Sequence, residues 1–147
     1  MKYRTRKLIK PEDLNSRQTL FGGQLLKWID EEAAIFAMCQ LSRPDDGESP
    51  NIATKLISEV NFTSPVYNGD IIEIGCDVIA FGKTSITLTC EVRNKYTQDT
   101  IVKIDKIVFV NLDKRGNPKS LIYHITQKTN NVARRYDSLS TLPFMWY

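Results

Sequence analysis

Histidine is nearly missing from this chain of 147 residues, which has one, His124. A metal centre built on several histidines is therefore excluded, and a Ser-His-Asp triad would have to use that one residue. His124 falls in the C-terminal tail, where a structural or exposed role is the simpler expectation. Cysteine is scarce too. Cys39, Cys76 and Cys90 form no CxxC pair and have apolar neighbours, so they read as buried free thiols in a reducing compartment. No apolar run approaches the ~18 residues of a membrane span, and no signal peptide is visible. GxGxxG and P-loop patterns are absent. The 20 basic and 17 acidic residues are interspersed, leaving a formal net charge of +3 and no broad demand for nucleic acid. A cytoplasmic protein with neither nucleic acid nor membrane as partner is expected. The one basic cluster, residues 1–7 (MKYRTRK), could meet an anionic ligand, but a solvated arm is the plainer reading.

What the chain does have is a stretch over residues 15–41, NSRQTLFGGQLLKWIDEEAAIFAMCQL. A polar lead-in and a glycine pair precede about twenty proline-free residues with helical spacing. At 100° per residue, Gly22, Leu26, Ile29, Ala33, Ala37 and Gln40 share one sector. Asp30 falls in the same sector. The far side carries Trp28, Ile35 and Met38, and a helix apolar nearly all round must be wrapped by the rest of the chain.

After a proline- and glycine-containing loop at residues 43–50, the period changes from 3.6 to 2. Leu56, Ser58, Val60 and Phe62 mark one strand face, then Ile72, Ile74, Cys76, Val78 and Ala80. Ile86, Leu88, Cys90 and Val92 follow, then Ile104, Lys106, Val108 and Val110. A short first strand is expected at residues 7–9, ended by Pro11. One long helix with four long strands and short antiparallel connections is an α+β architecture, a single curled sheet around one helix. We place one domain at residues 1–118. The tail, residues 119–147, has a short helix expected at 131–138 and an apolar terminus, Phe144 to Tyr147, that would pack on the domain or a partner chain.

Chemistry gathers at the helix. Gly22 and Gly23 stand where backbone N–H groups have no intrahelical partner, so they can meet an oxyanion; equally, they can allow close passage of a strand. Asp30, a carboxylate on the buried side, suits a general base or nucleophile, or a group capping a backbone across an interface. Asn15 offers a donor and an acceptor beside the helix start, or simply turn chemistry.

Three ordered blocks carry a resemblance. They are Asp13-Leu14-Asn15 with Thr19-Leu20-Phe21-Gly22-Gly23 and Leu26-Lys27-Trp28-Ile29-Asp30-Glu31; Phe62-Thr63-Ser64-Pro65-Val66 with Gly69-Asp70; and Gly82-Lys83-Thr84-Ser85. Together they closely resemble the hotdog-fold acyl-CoA thioesterases of the hexameric acyl-CoA hydrolase type, over roughly residues 5–113. The resemblance implies the hotdog fold, a long central helix in a curved antiparallel sheet, and cleavage of fatty acyl-CoA to fatty acid and CoA. It implies Asp30 as the catalytic carboxylate, Asn15 as its companion and Gly23 as donor of an amide to the thioester carbonyl. Gly82, Lys83, Thr84 and Ser85 would lie along CoA, which is part of the substrate, so no further cofactor and no metal is implied. Gln18 stands where the family usually has glycine. The acyl tunnel is expected beside Phe62, Phe81 and Phe109.

Distance adds a requirement of its own. Gly23 and Asp30 are seven residues apart, ~10 Å along a straight helix, yet a carbonyl must lie ~3 Å from both donor and attacker. Two copies of the helix can meet that need. The minimal unit is then a homodimer with a shared site, and the resemblance extends to a trimer of dimers. A non-catalytic acyl-CoA-binding regulator on the same fold would not need Asp30, and a hydratase would want a histidine within the helix region.

Overall fold

The computed structural model describes residues 1–42 and 47–121. Its centre is the helix α1, Gly22–Leu41, which starts and stops where the glycine pair and the end of the apolar pattern place it. Leu25, Ile29, Ala33, Ala37 and Leu41 recur at one-turn spacing and are buried, and Trp28 joins them. Ala33 and Ala37 have little side chain, so the helix axis can lie close to the sheet beneath it.

That sheet has six strands: β1 (Lys2–Leu8), β2 (Ile52–Ile57), β3 (Asn61–Phe62), β4 (Ile71–Phe81), β5 (Ser85–Asn94) and β6 (Thr100–Asn111). Their order is β1-β4-β5-β6-β2, all antiparallel, with β3 also on β6. The α+β architecture is as the sequence predicts, and α1 lies across β2, β4, β5 and β6. The core under the helix is Ile72, Ile74, Ile86, Leu88, Val92, Val102, Ile104, Ile107 and Phe109.

Several expectations change. The first strand is Lys2–Leu8 rather than residues 7–9, so the basic cluster is an edge strand on β4 and not a free arm. Its register shifts between Tyr3 and Thr5, which lets Tyr3 and Arg6 share the sheet's outer face although they differ in parity. The strand around residues 56–62 is really two, because pairing with β6 breaks after Ile57 and resumes at Asn61. Strict alternation in β6 also fails. Three steps from Ile104 to Ile107 face two steps from Cys90 to Leu88, so inward positions pass from 102 and 104 to 107 and 109. A similar extra residue, Ile79, bulges from β4 and stands exposed. Each bulge bends the sheet around the helix, and period counting cannot see it.

Cys76 and Cys90 are buried opposite one another in the β4–β5 register, whereas Cys39, expected to be buried, is exposed on α1. The hydrogen bond to Cys76, together with burial, pushes the Cys90 thiol far up from its ordinary value and keeps it protonated. Ile35 is exposed beside Cys39. One chain's sheet therefore wraps only one flank of a helix that is apolar on two. Among the described residues no helix is long and apolar enough to cross a membrane. His124, residues 131–138 and the apolar terminus lie outside the described residues.

Candidate active site

The loop before α1 is held by its own hydrogen bonds. Asp13, buried, accepts from the Lys10 amide at 2.9 Å and from Gln24 Nε2 at 3.3 Å, while its carbonyl accepts from the Phe21 amide at 2.9 Å. Asn15 Oδ1 accepts from the Arg17 amide at 2.9 Å and from the Thr19 amide at 3.3 Å, and Asn15 Nδ2 donates to Thr19 Oγ1 at 3.1 Å. This is turn chemistry, and it leaves one Nδ2 hydrogen to point elsewhere. Gln18 closes the turn at φ 61°, in the left-handed region that costs a side chain roughly 1 kcal/mol. The network around Asn15 holds the loop in that conformation.

The helix then begins bare. Phe21 is its N-cap and gives no side-chain cap, and the first turn has no acidic residue. The Gly22 and Gly23 amides therefore keep their donor capacity at the positive end of the helix dipole, while the Gln24 amide turns back to the Phe21 carbonyl at 3.0 Å. A Cβ on Gly23 would fall 2.6 Å from Phe21 Cε1, so glycine here lets the ring lie against the helix start.

Asp30 comes two turns later and is half-buried, at the edge of the buried sector rather than within it. Its Oδ1 accepts from Thr54 Oγ1 of β2 at 2.9 Å. Thr54 was not singled out by sequence pattern. It lies just before the register shift between Thr54 and Leu56, where alternation gives no guide to which face a residue takes. The bond fixes the carboxylate and leaves Oδ2 without a hydrogen-bond partner among the described residues.

Gly82, Lys83, Thr84 and Ser85 form the tight β4–β5 hairpin, closed by Gly82 N–H to the Ser85 carbonyl at 2.7 Å. The hairpin sits at the other end of the helix from the glycine pair. Thr84's carbonyl accepts from the Asn111 amide at 2.8 Å, and Asn111 lines a cleft of about 570 Å³ with Leu41, Asn51, Lys114, Arg115 and Lys119. The cleft also carries Glu48, which pairs with Lys114 at 3.3 Å, and Asp113, so its charge is mixed, and Lys83 is exposed nearby. Of the expected tunnel residues, Phe62 is half-exposed at the helix start, Phe81 precedes the hairpin and Phe109 is sealed in the core. The three do not line one tunnel.

Within one chain, then, the structure brings Asp30 to Thr54 and holds Asn15 in the loop that leads to Gly23 at the helix start. It does not bring those two pairs to one another. Seven residues of continuous helix hold Gly23 and Asp30 roughly 10 Å apart. Among the described residues no group of three His, Cys, Asp or Glu side chains could hold a metal ion.

The sequence pattern of the thioesterase superfamily matches residues 17–101. An uncharacterized acyl-CoA thioester hydrolase of Buchnera aphidicola is 26% identical over 121 residues, 78% of this chain and 84% of its own length. The crystal structure of a hexameric thioesterase from Yersinia pestis superposes with a TM-score of 0.70 at 25% identity, covering 81% of this chain and 93% of that one. An acyl-CoA hydrolase from Staphylococcus aureus, solved in complex with butyryl coenzyme A and coenzyme A, gives 0.68 at 26% identity, with 93% and 87% covered. Structures of the Staphylococcus aureus hydrolase include variants with an aspartate, a threonine or an asparagine changed to alanine.

Proposed function

The chain belongs to the thioesterase superfamily, and on that premise we propose that it hydrolyses acyl-CoA to free fatty acid and CoA at a site shared by two copies of the chain. One observation carries this reading: a half-buried carboxylate, Asp30, held by Thr54 on one helix that also opens with uncapped glycine amides too far away to act with it. A two-fold axis between antiparallel helices puts Asp30 of one copy beside the Gly23 amide of the other. The exposed apolar flank of α1 at Ile35 gives such a pair a surface to meet on.

At that site the thioester carbonyl oxygen accepts from the Gly23 amide, which stabilises the negative charge that develops on it. Asp30 takes a proton from water as the water oxygen attacks the carbonyl carbon, or attacks that carbon itself to give an anhydride that water then opens. The C–S bond breaks in either route, and the thiolate leaves readily enough to need little acid assistance. The free Nδ2 hydrogen of Asn15 orients the water or the carbonyl. Lys83 and Ser85 in the hairpin, at the C-terminal end of the helix, bind the CoA portion, with Gly82 and Thr84 giving backbone contact. The aspartate, threonine and asparagine changed in the Staphylococcus aureus hydrolase are the residue types of Asp30, Thr54 and Asn15. A dimer is the minimal unit, and a trimer of dimers fits the hexameric neighbours.

Mixing two dead variants tests the shared site. Pure Asn15→Ala and pure Asp30→Ala preparations each lose nearly all thiol release. Unfolded and refolded together, half the dimers are mixed, with one doubly damaged and one intact site apiece. Activity recovers to at most roughly a quarter of wild type. Verified subunit exchange with no recovery would put both residues in one chain and sink the shared site.

A further inference from the structure

Two aromatic rings flank the bare start of α1, and both are left open by the single chain. Phe21 is 56% exposed against Gly23, and Phe62 is 50% exposed against Gly22, where a Cβ would fall 3.3 Å from its Cζ. Phe62 is also one wall of a cavity of about 310 Å³. The other apolar walls are Leu20, Leu25, Pro65, Val66 and Ile101, and Gly22 stands at its edge. This cavity is unlike the cleft at the far end of the helix, whose lining carries charges of both signs, Glu48 and Asp113 with Lys114, Arg115 and Lys119. It offers a ligand shape and apolar surface, with no charged side chain among the residues lining it.

We infer that this cavity receives the acyl chain and that Phe62 sets the chain length the enzyme accepts. The inference rests on the thioesterase reading and deepens it. With the thioester oxygen at the Gly23 amide, the first acyl methylene lies within ~3 Å of that oxygen, one residue from the cavity edge at Gly22. A chain leaving the carbonyl on that side enters the cavity directly. A methylene takes about the space of a water in the liquid, ~30 Å³, so the cavity holds roughly ten chain carbons.

Phe62 is the wall that can decide the length. Leu25 and Ile101 are 1% and 2% exposed and belong to the core, so changing them changes the fold. Phe62 lies on β3, two residues held by the pairs Asn61↔Lys103 and Phe62↔Val102. Its half-exposed ring can be trimmed or enlarged without opening the core.

The test is thiol release from butyryl- to palmitoyl-CoA by wild type, Phe62→Ala and Phe62→Trp, with the mass of each assembly measured alongside. Wild type should do best near decanoyl. Phe62→Ala should move the optimum roughly three or four carbons longer, the space a phenyl ring vacates. It should raise kcat/KM for palmitoyl relative to butyryl about tenfold. Phe62→Trp should shift the optimum the other way, with assembly mass unchanged in both variants. An unchanged length profile would overturn the inference while leaving the thioesterase reading intact. An equal loss at every length with a smaller assembly would also overturn it, making Phe62 a subunit contact. A wild type inactive on every acyl-CoA would instead strike the thioesterase reading, and this inference with it.

Discussion

Glu73 on β4 and Asp30 on α1 are both shielded carboxylates, and the chain treats them in opposite ways. Glu73 is 2% exposed and has its oxygens committed. Arg6 Nε donates to Oε1 and Arg93 Nε to Oε2, each at 3.0 Å, and Lys95 Nζ stands 3.6 Å from Oε1. Tyr3 stacks on the Arg93 guanidinium at 3.5 Å and completes the cover. Burial pushes this carboxyl's pKa up, but the hydrogen bonds from Arg6 and Arg93 and the charge of Lys95 outweigh it, and the net shift is downward. Asp30 has one neutral partner, the Thr54 hydroxyl, and no cation within ion-pair distance among the described residues. A carboxylate enclosed by three cations is committed to structure. One held at a single oxygen and half open can still act on a ligand.

Charge removal should separate the two most sharply. Asp30→Asn keeps the shape and should lower kcat/KM by about a thousandfold, with thermal stability little changed. Glu73→Gln should leave the kcat/KM of folded enzyme within about twofold. If Glu73→Gln is as inactive as Asp30→Asn, the contrast drawn between them collapses.

Thr54→Val sharpens the same contrast from Asp30's side. It removes the hydroxyl but keeps the β-branched shape. A free carboxylate samples more orientations, so kcat should fall about tenfold, near 1.4 kcal/mol, with KM unchanged. An unaltered kcat would make the bond merely structural.

The smallest effect expected is on stability. Glu73→Gln should cost on the order of 1–2 kcal/mol, because the cover is one side chain thick and Arg6 is itself largely exposed. The sign with pH follows from the lowered pKa. Glu73's contribution is fully present above the ordinary glutamate value of 4.5 and is lost as pH falls through the lower folded value. Denaturation midpoints of wild type and variant should therefore differ at neutral pH and converge well below 4.5. A gap that widens on acidification would contradict the network.

How far the sequence reaches differs from element to element. The helix was legible, with its start at the glycine pair and its end near Leu41, because periodicity, a glycine start and the absence of proline are local properties. Asp30 was legible as an acidic residue out of place on an apolar sector. Gln18 takes a positive φ, which the sequence does not announce, with Asn15 hydrogen bonds beside it. Thr54 was not legible: its facing depends on a bulge, and its role depends on Asp30, 24 residues away. The Glu73 cluster was hidden for the same reason, since it joins β1, β4 and β5 and needs the register shift after Tyr3.

What the sequence determined by itself is whatever neighbours along the chain can encode: one long apolar helix, the period-two strands that follow it along the chain, and an uncapped glycine start. The tertiary structure alone decided which residues meet. An extra residue in β1, β2, β4 or β6 turns the next side chains to the other face, and that choice comes from pairing and burial summed over distant strands. It is why Thr54 reaches Asp30, why three cations converge on Glu73, and why Phe62 stands over the helix start while Phe109 lies in the core.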